Sequence, residues 1–119
     1  MKVSKWFSKE EFACKCGCGE DFDMDPKLLT LLDKIRENIG NAITVTSGYR
    51  CKAHNDSLGS KETSQHRKAT AADITLAYHK PAQVADIAES MLEEGGGLGR
   101  YTSFTHIDTR SRKARWGSN

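Results

Sequence analysis

The chain has 119 residues, of which 29% are charged and 37% hydrophobic, and its formal net charge is +2. This length and composition predict one folded domain with a single hydrophobic core, and they argue against wholesale disorder or a strongly basic nucleic-acid binder. The sequence contains no apolar run near the roughly 18 residues of a membrane span, so we expect no membrane insertion. We also expect a monomer.

The first predicted elements lie near the N-terminus. Ser8 and Glu11 have the spacing of a capping box and predict a short helix, and a Gly- and Cys-rich loop follows at residues 13–23. A clearer helix is predicted over residues 26–39, because Asp25 can cap it, Pro26 suits its first turn and a glycine follows its end. Its apolar positions recur at helical spacing: Leu28, Leu32, Ile35 and Ile39.

The rest of the chain alternates between predicted strands and helices. A strand is predicted at residues 42–47, and residues 50–70 are expected to form one long polar loop, which in a small domain is usually functional. A second strand is predicted at 71–77, a helix from Pro81 to the glycines at 95–97, and further strands at 97–101 and 104–109. This order predicts an α+β fold, with helices flanking a small, mostly antiparallel sheet.

Two of the predicted strands carry a polar face suited to metal binding. Asp73 alternates with apolar neighbours in the second strand, and His106 and Asp108 share one face of the last strand, with Ile107 on the other. His66 ends the long loop and could fold over that face. Two imidazoles and a carboxylate suit zinc, although they also accept cobalt, nickel or copper, and three protein ligands are typical of catalytic zinc. A lone histidine in a loop is more often a solvated side chain.

Three sequence blocks carry a family resemblance: SGYRCKAHN at 47–55, SQHRKATAAD at 64–73 and GRYTSFTHIDTR at 99–110. Together they resemble the motif blocks of the zinc D-Ala-D-Ala carboxypeptidase family, in the branch that includes phage endolysins. The resemblance spans about residues 6–116. It implies that His66, Asp73 and His106 bind Zn²⁺, and that residues 1–119 form one peptidase domain with the fold shared by the hedgehog signalling domain. The implied substrate is the stem or cross-bridge peptide of bacterial peptidoglycan.

The sequence departs from the family pattern at two positions. Ala69 stands where the pattern favours glycine, which is costly if this residue needs a positive φ. Ser103 stands where several relatives have an acidic general base, and a serine cannot take up a proton near neutral pH. Asp108 is therefore the candidate general base, or the residue that orients His106 or the bound water, while a simple pairing with Arg110 is the alternative.

Two further features have open interpretations. Arg50 resembles the family arginine at the rim of the site, where it would bind a substrate carboxylate or stabilise negative charge, but it can also form a salt bridge within the fold. The four cysteines are compatible with a disulfide to Cys51, with reduced thiols or with a four-thiolate zinc site, although single-residue spacing is tight for zinc. They are Cys14, Cys16, Cys18 and Cys51.

Two other functional classes compete with a peptidase. Ser103 and the hedgehog resemblance allow a zinc-binding module without catalysis. The basic tail at residues 110–119 allows nucleic-acid binding, but it lacks interleaved aromatics for base stacking, so we expect no nucleic-acid partner. The start of the sequence lacks the apolar core of a secretory signal, so we expect synthesis in the cytoplasm and access to the wall as a released, phage-lysin-like protein or as part of a virion.

Overall fold

A computed structural model of the chain describes residues 1–92 and 95–118. Within these residues the elements are, in chain order, a 3-10 turn at Lys9–Phe12, α1 Pro26–Ile39, β1 Ile43–Ser47, α2 Lys52–Ser57, β2 Ala71–Leu76, α3 Pro81–Leu92, β3 Gly97–Arg100, β4 Thr105–Asp108 and β5 Ala114–Gly117. The predicted α+β class is confirmed. None of the helices in the described part of the chain is long and apolar enough to cross a bilayer.

Helix α1 forms over the predicted residues and for the predicted reasons. The Asp25 side chain accepts a hydrogen bond from the backbone N–H of Lys27 at 3.2 Å, which satisfies one of the free donors of the first turn. At the other end Gly40 adopts φ 79°, the left-handed conformation that favours glycine. The face towards the sheet is buried, and it comprises Leu28, Leu29, Leu32 and Ile35.

The five strands lie in the order β1-β2-β4-β3-β5. The first three pairings are antiparallel and β3 pairs with β5 in parallel, so the expectation of a mostly antiparallel sheet is confirmed. The predicted basic tail from residue 110 contains a strand that was not predicted, because Ala114–Gly117 forms β5 at the sheet edge. Arg115 alternates with Ala114 and Trp116, but this pattern is too short to predict a strand, so the pairing with β3 is a tertiary effect. Asn119 lies outside the described residues.

The long loop predicted at residues 50–70 is interrupted by α2, a helix of six residues. Cys51 takes the N-cap position and its sulfur accepts from the His54 N–H at 3.4 Å, a role for which cysteine gives no sequence signal. Only Asn55 of α2 is buried, and its amide donates to the Lys61 carbonyl at 2.9 Å. Because this helix has no apolar face, hydrophobic periodicity could not reveal it.

The two faces of the sheet have different environments. Side chains such as Ile74, Leu98 and Ile107 belong to the core that α1 and α3 cover, and Thr105 donates a hydrogen bond to the Pro81 carbonyl of α3 at 3.1 Å. The opposite face carries one row of residues that are paired from strand to strand across the whole sheet. This row is Ser47, Asp73, His106, Gly99 and Trp116. It positions the candidate site.

Candidate metal centre

Three ligand-type side chains converge at the middle of this row. Asp73 and His106 are register partners on β2 and β4, and the His106 Nδ1 lies 2.8 Å from the Asp73 Oδ1. The loop before β2 brings the His66 Nε2 to 3.3 Å from the same oxygen. One donor atom from each residue lies within 4.8 Å of the other two, and all three residues are buried. The structure therefore brings together the three predicted ligands.

The second nitrogen of each imidazole already has a partner. The Nδ1 of His66 lies 2.7 Å from the Gly48 carbonyl oxygen, and the Nε2 of His106 lies 2.8 Å from the Asp108 Oδ2. Since these oxygens are acceptors, each of these nitrogens carries its proton and donates it. The lone pairs of the His66 Nε2 and the His106 Nδ1 are then left for a metal beside Asp73. Such outer partners are the usual means of fixing zinc-binding imidazoles, so the donor set fits zinc.

The charges at the centre are strongly coupled. Burial raises the pKa of Asp73, but hydrogen bonds from His106 and His66 outweigh burial and hold the pKa at about 2. Burial also lowers the pKa of His106, yet its hydrogen bonds to Asp108 and Asp73 raise the pKa above the ordinary histidine value. In the metal-free protein this shift favours the protonated form of His106 between the two carboxylates. A metal ion would replace that proton as the central positive charge.

The loop that supplies His66 is held on both sides. The His66 backbone N–H donates to the Ser64 hydroxyl at 3.3 Å, and its carbonyl accepts from the Arg50 N–H at 3.1 Å. Three residues later Ala69 is buried with φ 59°, so the departure from the family glycine falls on a left-handed position. This is the costly case, because a Cβ crowds the backbone in that conformation.

Arg50 lines the pocket above the metal centre and also bonds within the fold. Its Nη2 lies 3.8 Å from the Asp73 Oδ2, and its Nε donates to the Ser47 hydroxyl at 3.3 Å. A further guanidinium nitrogen donates to the Ser60 hydroxyl at 3.2 Å. The salt bridge within the fold is therefore present, and it holds the guanidinium at the pocket wall.

Asp108 lies behind His106 and does not line the pocket. Its side chain is fully buried, and it accepts from the His106 ring and, through both oxygens, from the Arg110 guanidinium at 2.7 and 2.9 Å. Burial raises the pKa of this carboxyl, but the hydrogen bonds from His106 and Arg110 outweigh burial and place the pKa well below its usual range. The carboxylate has its room because Gly97 faces it, where a Cβ would lie 2.3 Å from Oδ2.

The position at which several relatives carry an acidic general base has no acid in this protein. Ser103 is exposed and is not part of the pocket wall. Among the described residues that line the pocket, Asp73 is the only carboxylate. The lining cations are Arg50, Lys61 and Arg110.

An aromatic wall closes one side of this pocket, whose volume is about 680 Å³. Trp116 lies over Gly99, where a Cβ would come within 2.6 Å of the indole nitrogen, and its ring centroid is 5.0 Å from that of His106. The indole N–H donates to the Tyr101 hydroxyl at 2.8 Å, and Tyr101 stacks on Phe104. The sequence alone did not assign Trp116 to the site. The signal available in the sequence was the pair Gly97 and Gly99, which leave space on the site face of β3 for larger side chains of the neighbouring strands.

The fold and the site together define a class: a small α+β protein with a buried set of two histidines and one aspartate at the base of an open pocket. Within that class, the family model described as Peptidase M15 matches residues 5–108, and the chain belongs to this family of metallopeptidases of the zinc D-Ala-D-Ala carboxypeptidase type. No curated protein matches the chain. The match confirms the family resemblance, and it implies a peptide substrate.

Proposed function

We propose that this protein is a zinc-dependent peptidase that hydrolyses peptide bonds in bacterial peptidoglycan. The observation that carries the proposal is the pairing at His66 and His106, where Gly48 and Asp108 occupy one nitrogen of each ring and leave the other beside Asp73. A merely structural ion pair has no need for both imidazoles to be oriented in this way. Zinc held by the three residues would supply Lewis-acid chemistry to a peptide carbonyl.

In this proposal Asp108 is a positioning residue. Its contacts are with the outer nitrogen of His106 and with Arg110, so it fixes the ring orientation of a ligand and increases the basicity of that ligand. A role as general base has less support, because the carboxylate is buried behind the ring and already accepts hydrogen bonds from both neighbours.

The proposed substrate-binding groups follow from the charge of the pocket. Three cations and one carboxylate line it, so it favours a peptide with a carboxylate near the scissile bond. Arg50 is the candidate partner for that carboxylate, because its planar fork suits bidentate binding and its other bonds already fix its position. The aromatic wall of Tyr101, Phe104 and Trp116 would pack against the apolar part of the peptide.

The test is a digestion of purified peptidoglycans of different cross-bridge types, with the new termini identified by mass spectrometry. Release of free D-Ala would define a carboxypeptidase, and separation of cross-linked stems would define an endopeptidase. His66→Ala should abolish product, while His79→Ala should not, because the ring of His79 bonds only to the Ala77 carbonyl among its described contacts. If no wall type gives a chelator-sensitive product, the proposed activity is wrong.

A second candidate function is a zinc-binding module without catalysis. It is favoured by Ser103 at the base position and by the single carboxylate of the pocket lining. The same digestion separates the two candidates when zinc binding is measured in parallel. A native protein that binds zinc through His66, Asp73 and His106 but releases no product from any wall would establish the module.

We also propose that the protein acts as a monomer, and that it reaches the cell wall as a phage-lysin-like or virion-borne enzyme. The support for this route is the endolysin-like character of the three motif blocks. Purified protein should then reduce the turbidity of cells whose outer barrier has been permeabilised. Retention of full activity against wall fragments without any effect on such cells would argue against the lysin role.

A further inference from the structure

The four cysteines form a second cluster. The Sγ atoms of Cys14, Cys16 and Cys51 lie 3.4 to 3.6 Å from one another, and the Sγ of Cys18 lies with them inside a limit of 4.8 Å. Cys14 and Cys51 are buried, whereas Cys16 and Cys18 are exposed. Three residues of one loop and one residue at the start of α2 are therefore brought to a single point.

These separations match a tetrahedral metal site and do not match sulfur–sulfur bonds. A disulfide needs about 2.05 Å between sulfurs, and one bond would leave two of the four cysteines without a role. Zinc bound at about 2.3 Å by four thiolates places the sulfurs about 3.8 Å apart. We propose that Cys14, Cys16, Cys18 and Cys51 bind a structural zinc ion that is separate from the candidate metal centre.

The backbone explains how cysteines at single-residue spacing can share one ion. Gly17, with φ 78°, closes a turn in which its N–H donates to the Cys14 carbonyl at 3.2 Å, and Gly19 also has a positive φ of 72°. These left-handed residues turn Cys16 and Cys18 back towards Cys14, a path that residues with a Cβ rarely follow.

Backbone N–H groups are also aimed at the sulfurs. The Cys14 sulfur accepts from the Cys51 N–H, the Cys51 sulfur accepts from the His54 N–H, and the Cys18 sulfur accepts from the Glu20 N–H, each at 3.4 Å. Hydrogen bonds of this kind fix the direction of metal ligands and offset part of the charge of metal-bound thiolates. Binding would release the thiol protons to solvent and close the coordination shell with four protein ligands, as in structural zinc sites.

The position of the cluster gives the ion a role. Cys51 directly follows Arg50, whose N–H holds the His66 carbonyl, and three residues before Cys51 the Gly48 carbonyl holds the His66 ring. The Tyr49 N–H between them donates to the Phe12 carbonyl at 2.8 Å, next to the cysteine loop. A zinc ion at the four cysteines would therefore tie the N-terminal loop to the segment that orients both a ligand and a pocket arginine.

The first test counts zinc per chain by elemental analysis of protein purified under reducing conditions. The double variant Cys16→Ser/Cys18→Ser alters only exposed positions, and Lys15→Ser in the same loop is its matched control. We expect the double variant to hold one zinc ion fewer than the native protein and than Lys15→Ser. His66→Ala should lose zinc independently, so that its loss adds to the loss caused by the double variant. An unchanged count in the double variant would overturn the proposal.

The second test uses the native protein, so it does not depend on the variant folding. Cobalt substituted at four thiolates gives an intense thiolate-to-metal charge-transfer band, which a site of two imidazoles and a carboxylate cannot give. The band should persist in His66→Ala. Its absence from cobalt-saturated native protein, or recovery of a disulfide from protein purified with zinc, would refute the site. Neither test uses peptidase activity, so the result is independent of the proposed function.

Discussion

The substitution Asp108→Asn isolates the proposed positioning role, because it keeps the shape of the side chain and removes its charge. In the native protein both oxygens accept from the Arg110 guanidinium, and Oδ2 also accepts from the His106 ring. Asparagine offers one acceptor and one donor, so an amide N–H must face a neighbouring N–H. The ring of His106 then loses either its acceptor or the negative charge of that acceptor, and in both cases the charge-assisted hydrogen bond.

The size of the effect follows from that lost hydrogen bond. A hydrogen bond between the His106 ring and a charged carboxylate contributes about 1.5–3 kcal/mol. Loss of an outer partner of a metal-binding histidine typically weakens metal affinity by about 10- to 100-fold, which corresponds to about 1.4–2.8 kcal/mol. We expect Asp108→Asn to weaken zinc binding by that factor and to lower the stability of the metal-free protein by about 1–3 kcal/mol, since the Arg110 cation is left without its partner.

Competition against a chromophoric chelator measures the affinity, and thermal unfolding of the metal-free protein measures the stability. The matched control is Asp86→Asn, which also removes a carboxylate from an arginine, the Asp86 Oδ1 lying 2.9 Å from the Arg100 Nη1. Asp86 is exposed, Arg100 is partly exposed, and neither lines the pocket, so zinc affinity should be unchanged.

The outcome distinguishes positioning from proton transfer. A general base lost from Asp108 would reduce kcat and leave zinc affinity as it was. A folded Asp108→Asn protein that binds zinc like the native protein would therefore refute the positioning role. If that protein were also inactive, Asp108 would be the base instead.

Two further substitutions test the backbone conformations around the site. Ala69→Gly should raise stability by up to about 1 kcal/mol, seen as a higher Tm, because it relieves φ 59°, whereas the same change at Ala72 in the extended strand should lower stability. Gly97→Ala should lower stability by about 1–3 kcal/mol and weaken zinc binding, because its Cβ would lie against the Asp108 carboxylate. Gly95→Ala is the control, since its nearest atom would be 3.7 Å away. A stability change of the opposite sign for Ala69→Gly or Gly97→Ala would contradict the strain and crowding assigned to these positions.

Elements with strong local signals were predicted well. The cap at Asp25, the proline at the first turn and the glycine past the end act within a few residues, and α1 has the predicted bounds. Strand alternation likewise placed Asp73 and His106 on one face, and the register of β2 and β4 made them partners. The family blocks supplied His66, whose position depends on a loop that no periodicity describes.

The parts that sequence could not predict depend on distant contacts. Helix α2 rests on a cysteine cap and one buried asparagine, and β5 exists because β3 offers it an edge. The Asp108 carboxylate fits behind His106 because Gly97, its partner on the neighbouring strand, leaves space for it. The structure gives Asp108 contacts with both His106 and Arg110, so the two alternatives considered from sequence coexist.

The proposed function requires that His66, Asp73 and His106 hold the catalytic zinc ion. Anomalous diffraction from crystals soaked in zinc tests this most directly, because the signal locates the metal independently of any assumption about ligands. We expect a peak about 2.0–2.2 Å from the His66 Nε2, from a carboxylate oxygen of Asp73 and from the His106 Nδ1. At saturating zinc, the absence of a peak among these three residues, or coordination through the opposite ring nitrogens, would contradict it.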